Sequence, residues 1–89
     1  MSTPSIASAS GEIAIGDAFR LIKYDYADVC IAGGVDFNLN RHFFEGMELF
    51  GANCNTYNHL PQLGSKPFDE ARCGPVLSDG GGILILESL

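Results

Sequence analysis

Apolar residues recur along this chain in blocks of different rhythm, and the rhythm of each block predicts an element. The first block follows the small, hydroxyl-rich stretch 2–10 and comprises Ile13, Ile15, Ala18, Phe19, Leu21 and Ile22. It predicts a helix over 10–24, with Ser8 or Ser10 as N-cap and Glu12 in the first turn. These apolar positions surround most of the circumference, so the helix is expected to be buried rather than amphipathic. After a turn at Asp25 and Tyr26, residues 27–34 (ADVCIAGG) form a short apolar run closed by two glycines, the pattern of a strand covered on both faces.

A second helical rhythm spans 41–50, where Phe43, Met47 and Phe50 fall on one stripe. The interval 51–65 is rich in Asn, Gly and Pro and reads as one long loop. Lys66-Pro67-Phe68-Asp69 predicts a turn, Gly80-Gly81-Gly82 is permissive backbone, and Ile83 to Glu87 (ILILE) is a second strand of the buried type. The order helix, strand, helix, loop, strand places the chain in the α/β class, with no repeat and no second domain. Two or three strands cannot keep both of those strand faces dry, so the periodicity describes a piece of a larger α/β core.

Composition sharpens that expectation. A chain of 89 residues buries only about 60–65% of its unfolded surface, so its core is thin. Charged residues make up 18%, against about 25% in ordinary soluble domains, although 46% of the residues are hydrophobic. A missing partner surface follows. The net charge of −6 disfavours nucleic acid, whose backbone is held mainly by Lys and Arg. Cys30, Cys54 and Cys73 are odd in number and lack CxxC spacing, so neither a disulfide framework nor a zinc ribbon is expected, and a reducing compartment fits better. There is no apolar run of membrane-spanning length and no signal-peptide pattern, so the expectation is a soluble intracellular chain of cytoplasm, mitochondrion or plastid.

Four blocks carry a more specific signal: Ile15 to Ile22 (IGDAFRLI), residues 27–34, the turn 66–69 and Asp79 to Glu87 (DGGGILILE). In order and spacing they resemble the middle of a β-ketoacyl-acyl carrier protein synthase, a condensing enzyme of fatty acid and polyketide synthesis with the thiolase-like fold. The resemblance runs from Pro4 to Leu89 and implies a single partial domain over 1–89, part of one α/β/α layer and incomplete as a stand-alone core. In that family a reactive cysteine precedes the buried helix, whose N-terminal partial charge lowers a thiol pKa and lets backbone N–H groups hold an oxyanion. Counting back from Ile15-Gly16 puts this position on Ser8. A hydroxyl needs an adjacent base to become a nucleophile, and none stands nearby in the sequence.

The resemblance also implies an acyl pocket lined at Gly46-Met47, with Phe43 where relatives can carry a small residue. Arg72-Cys73-Gly74-Pro75 replaces the family's Arg-Asp-Gly-Phe, removing an acidic residue and the mobile phenylalanine beside the active site, so the resemblance implies Phe43, Met47 and Pro75 as substrate-binding positions near the acyl pocket, with Pro75 stiffening the loop. The catalytic histidines and lysine of the family lie beyond the matched region, and His42 and His59 match none of them.

Each candidate has a plainer reading. Ser8 serves either as a helix cap, the commoner role of serine, or as a residual nucleophile. The cysteines read as structural, His42, Cys54 and His59 fit no familiar metal site, and no cofactor is implied. Two functions follow from the resemblance. The favoured one is a catalytically inactive or accessory ketosynthase chain that associates with other chains, as a homodimer or a larger assembly, through strand 27–34. The alternative is a chain that contributes to decarboxylative condensation of an acyl thioester with malonyl-acyl carrier protein, making acyl carrier protein a partner.

Overall fold

In the computed structural model, which describes residues 1–89, a helix α1 (Ser10–Lys23) leads into strand β1 (Val29–Asp36), helix α2 (Arg41–Leu49) and strand β2 (Gly80–Glu87). Single 3-10 turns precede α1 at Ala7–Ala9 and interrupt the expected long loop at Pro61–Leu63. The chain divides into two bodies, Met1–Asp36 with Gly80–Leu89, and Phe37–Asp79. No helix is long and apolar enough to cross a membrane.

The first body is one helix on a two-stranded sheet. β1 and β2 run antiparallel in a register that sets Cys30 opposite Leu86, Ile31 opposite Ile85 and Gly34 opposite Gly82. Each strand therefore covers one edge of the other. Gly33 is required at their closest approach, because a Cβ there would meet the Gly82 carbonyl oxygen and stand 2.9 Å from Ile83 Cα. β1 keeps the expected eight residues but lies two positions further along, ending at Asp36, and β2 is longer than its apolar run because it takes in all three glycines. Glycine is a weak strand former, but a paired neighbour fixes its backbone whatever its propensity.

Alternation puts Cys30, Ala32 and Gly34 on one face of β1 and Val29, Ile31 and Val35 on the other. α1 packs on the first of these faces. Its small residues Gly11, Ala14 and Ala18 share one side, and a Cβ on Gly34 would already lie 3.4 Å from Gly11 Cα. Ala18 and Ala32 are the buried apolar residues at this junction. Two expectations need correction here. β1 is covered on one face rather than two and β2 scarcely on either, since Ile31 is 73% exposed, Val35, Ile83 and Ile85 are also exposed, and so is Leu84 on the helix side. Nor is α1 buried all round within this chain, because Phe19 and Leu21 face solvent. Both patterns were written for neighbours that these 89 residues do not supply.

α1 closes with Asp25 in the left-handed region (φ 59), the Asp25 N–H bonding Ile22 O at 3.1 Å and the Tyr26 N–H bonding Leu21 O at 2.8 Å. Arg20 and Lys23 lie in its last turn, the favourable end of the dipole for cations.

The second body holds α2 by its two ends. Asn40 caps the start by accepting the Phe43 N–H on Oδ1 at 2.9 Å, and Gly51 (φ 66) ends it with the Ala52 N–H reaching Met47 O at 3.0 Å. Asn53 is buried and braces the helix, its Nδ2 donating to Phe44 O at 3.3 Å and to Glu48 Oε2 at 3.1 Å. Cys54 and Cys73, 19 residues apart, are joined in a disulfide with Cα atoms 4.9 Å apart. This overturns the expectation of no disulfide and removes the argument drawn from it for a reducing compartment. Spacing and odd number constrain pairing only when the cysteines form a framework, and here the path of the loop brings two of three together while Cys30 stays free.

Candidate functional site

The start of α1 is shaped by a single hydroxyl. Ser10 Oγ donates to Ala7 O at 2.7 Å and accepts the Ile6 N–H at 2.7 Å, while the Ser10 backbone N–H also returns to Ala7 O. That staple closes the turn Ala7–Ala9 and holds Ala7 at φ 49, a left-handed backbone that costs about 1–2 kcal/mol for a residue with a Cβ. Ser8 sits in the middle of this turn and is exposed. The expected serine cap is not made: Ala9 occupies the N-cap position, and Ser10 is the first helical residue with its hydroxyl turned back onto the turn.

The electrostatics at this end come from α1 itself. A helix of 14 residues presents about half a positive charge and several free N–H groups at its start. Beside the turn a cleft of about 290 Å³ is lined by Thr3, Ser10, Gly11, Gly34, Val35 and Ile83 among others, and Ser8 is not part of its wall. No histidine occurs in Met1–Asp36 or Gly80–Leu89, and the only lysine there, Lys23, is at the far end of α1, about 20 Å away at 1.5 Å per residue. The turn can thus display a hydroxyl and polarise what approaches it, but this body supplies no amine or imidazole to take the proton from Ser8 Oγ.

The remaining sequence-derived positions lie in the other body. Phe43 and Met47 are one turn apart on α2; Phe43 is 42% exposed and Met47 half-buried, so neither is a fully buried core residue. Pro75 is exposed, and its carbonyl accepts the Cys54 N–H at 3.1 Å, next to the disulfide. Cys54 is consumed by that bond and is no candidate ligand beside His42 and His59. Asp79 has a structural use, accepting the Leu39 N–H on Oδ1 at 2.9 Å. Sequence reasoning missed the Ser10 staple and the Cys54–Cys73 clamp, and it had no signal for either beyond the presence of the residues.

The profile of the beta-ketoacyl synthase N-terminal domain matches residues 1–89. The chain belongs to the beta-ketoacyl synthase family. Its curated relatives include the mitochondrial 3-oxoacyl-[acyl-carrier-protein] synthase of Arabidopsis thaliana, 38% identical over 81 residues that cover 91% of this chain and 18% of the relative. Another is 3-oxoacyl-[acyl-carrier-protein] synthase 2 of Synechocystis, 42% identical over 83 residues covering 93% of this chain and 20% of the relative. Among solved structures, a chain of the AntDE:AntF complex superposes with a TM-score of 0.87 at 36% identity over 99% of this chain and 22% of its own length. That complex is of a type II PKS acyl-carrier protein with its ketosynthase bound to the hexaketide. The fold is therefore part of a ketosynthase fold, and this chain spans about a fifth of the length of the ketosynthases it matches.

Proposed function

We propose that this ketosynthase-family chain is catalytically inactive by itself and acts as an accessory part, a partial domain over 1–89 that associates with other chains. The observation that carries this reading is the turn before α1. Ser8 stands where the family resemblance puts the reactive cysteine, on a helix start suited to lowering a thiol pKa, with no imidazole in its own body and Lys23 at the far end of α1. A helix end cannot bring a serine hydroxyl to its alkoxide near neutral pH as it can a thiol to its thiolate.

Acylation of Ser8 by an acyl thioester would break the C–S bond, form an ester at Oγ and deliver the serine proton to the departing thiolate. Intact-mass measurement after incubation with an acyl-acyl carrier protein is expected to show no such adduct. Ser8→Cys is expected to add a second alkylatable thiol beside Cys30 without producing condensation. A stoichiometric acyl group on Ser8 overturns the reading. It would favour the alternative, a chain that contributes to decarboxylative condensation within a complete assembly; the solved relative held with an acyl-carrier protein is the observation on that side.

A further inference from the structure

The second body contains a cleft that the reading of Ser8 does not use. It measures about 220 Å³ and is walled by Ser65, Lys66, Arg72, Gly74, Pro75 and Val76 among others. The chain has only five Lys and Arg residues, and two of them share this wall. Arg20 and Arg41 are neutralised by Asp17 and Glu45 at 3.0 and 2.7 Å, and Lys23 lies over Phe19 and Tyr24 in the other body. Neither Lys66 nor Arg72 forms an ion pair, in a chain with eleven carboxylates.

Both cations are positioned without being neutralised. Arg72 Nη1 donates to the Asp69 main-chain oxygen at 2.9 Å, and the Asp69 carboxylate is engaged by the Ala71 N–H at 2.7 Å. A guanidinium carries five N–H groups, so most of them remain available. Lys66 Nζ stands 5.1 Å from the centre of the Tyr57 ring, and Tyr57 is fixed in turn by its hydroxyl bond to Ala71 O at 3.1 Å.

The wall is also pre-formed. The Cys54–Cys73 disulfide, the bond from the Cys54 N–H to Pro75 O, and Gly74 at φ 117 against Ala52 O hold residues 72–75 in place. A cradle already ordered loses less on binding than a mobile loop. The cleft has room for several waters at about 30 Å³ each, and hence for a tetrahedral oxyanion.

We propose that this cleft is an oxyanion site, taking a phosphate-sized dianion, free or as a terminal phosphomonoester, against Lys66, Arg72 and the Ser65 hydroxyl. Charge-assisted hydrogen bonds to two cations are what such an ion seeks, and the other three Lys and Arg side chains are already paired or stacked elsewhere, which leaves this pair as the place on the chain where it would settle. The site is independent of whether Ser8 can be acylated.

Titration of the full ¹⁵N-labelled chain with inorganic phosphate, at ionic strength held constant with chloride, tests it. Saturable amide shifts are expected at Ser65, Lys66, Arg72 and Gly74. Lys66→Met and Arg72→Gln should each weaken binding about tenfold, whereas Lys23→Met should leave it unchanged. Phenyl phosphate binding at the same residues assigns the ester, and its exclusion while phosphate binds assigns the free ion. Linear, non-saturating shifts with both probes, or saturation unaltered in both Lys66→Met and Arg72→Gln, overturns the proposal. The circular-dichroism spectrum of each variant shows whether the fold is retained, and Lys66→Met changes no hydrogen bond of the loop.

Discussion

Asn53 is the buried polar side chain of α2's body, and it is only half satisfied: both bonds come from Nδ2, while Oδ1 is buried without a partner. An unpaired buried carbonyl oxygen is destabilising by about 1–3 kcal/mol, so this amide holds α2 less firmly than its bonds suggest. The apolar residues of α2 do not make up the difference. Phe43, on the apolar stripe of α2, keeps 42% of its surface in water. Phe43→Ala is therefore expected to destabilise the chain by about 1–2 kcal/mol, well short of the roughly 3–5 that a fully buried phenylalanine loses. Urea unfolding followed by circular dichroism measures it; a loss in the buried range would mean that Phe43 is covered in solution. At this scale the sequence was a fair guide to residue type and a poor one to residue role. A serine does organise the start of α1, but through a staple from Ser10 rather than a cap, because the preceding turn offered its hydroxyl nearer partners than the N–H groups of the first helical turn.

The elements follow the hydrophobic rhythm where side chains decide and depart from it where backbone contacts do. β-branched residues marked both strands, yet the glycines at Gly80, Gly81 and Gly82 joined β2 because β1 pairs with them. Not all of these glycines matter equally. A Cβ on Gly33 would collide with the backbone of Gly82 and Ile83, whereas one on Gly80 would meet nothing within 4 Å. Gly33→Ala is expected to part β1 from β2 and to expose the Cys30, Ala32 and Gly34 amides to hydrogen exchange, while Gly80→Ala should leave exchange unchanged. Equal protection in the two variants would show that the strands can separate locally without loss. The disulfide was the least legible feature, since two cysteines 19 residues apart say nothing of the loop path between them. Closing a loop of that length restrains the unfolded chain by about 3 kcal/mol in the chain-entropy account. Alkylation of the denatured chain should therefore count one thiol, that of Cys30, before treatment with a dithiol and three afterwards. Reduction should lower the urea midpoint, and three thiols without a reductant would remove the clamp altogether.

At the scale of the whole chain, the accessible surface is 7357 Å². Even two separate compact bodies of half its mass would together expose only about 6,100 Å², so roughly 1,200 Å² lies open beyond what folding alone would leave. Much of the apolar part can be placed. Val29, Ile31, Val35, Ile83 and Ile85 form the uncovered sheet face, and each of the two strands keeps one edge without a strand neighbour. The low charged fraction and the doubly dry strand pattern announced such a surface in the sequence, but not which face or edge would carry it, because that depends on where α1 settles. An apolar sheet face with free edges invites another chain, and one-sided exposure of this size exceeds the roughly 800 Å² that each partner gives to a standard protein–protein contact. Association through β1 is accordingly expected in solution. Ile31, opposite Ile85 in the middle of the open face, is the position at which a charge should do most damage. Ile31→Lys is expected to lower the weight-average mass in sedimentation equilibrium towards the 9.5 kDa of one chain, because the contact would otherwise bury an unpaired ammonium. In the free chain that lysine stands in water and the fold should persist, so circular dichroism distinguishes dissociation from unfolding. A wild-type chain that sediments as a folded monomer at micromolar concentration, indifferent to Ile31→Lys, would show instead that this face tolerates water and that its association has to be sought elsewhere on the chain.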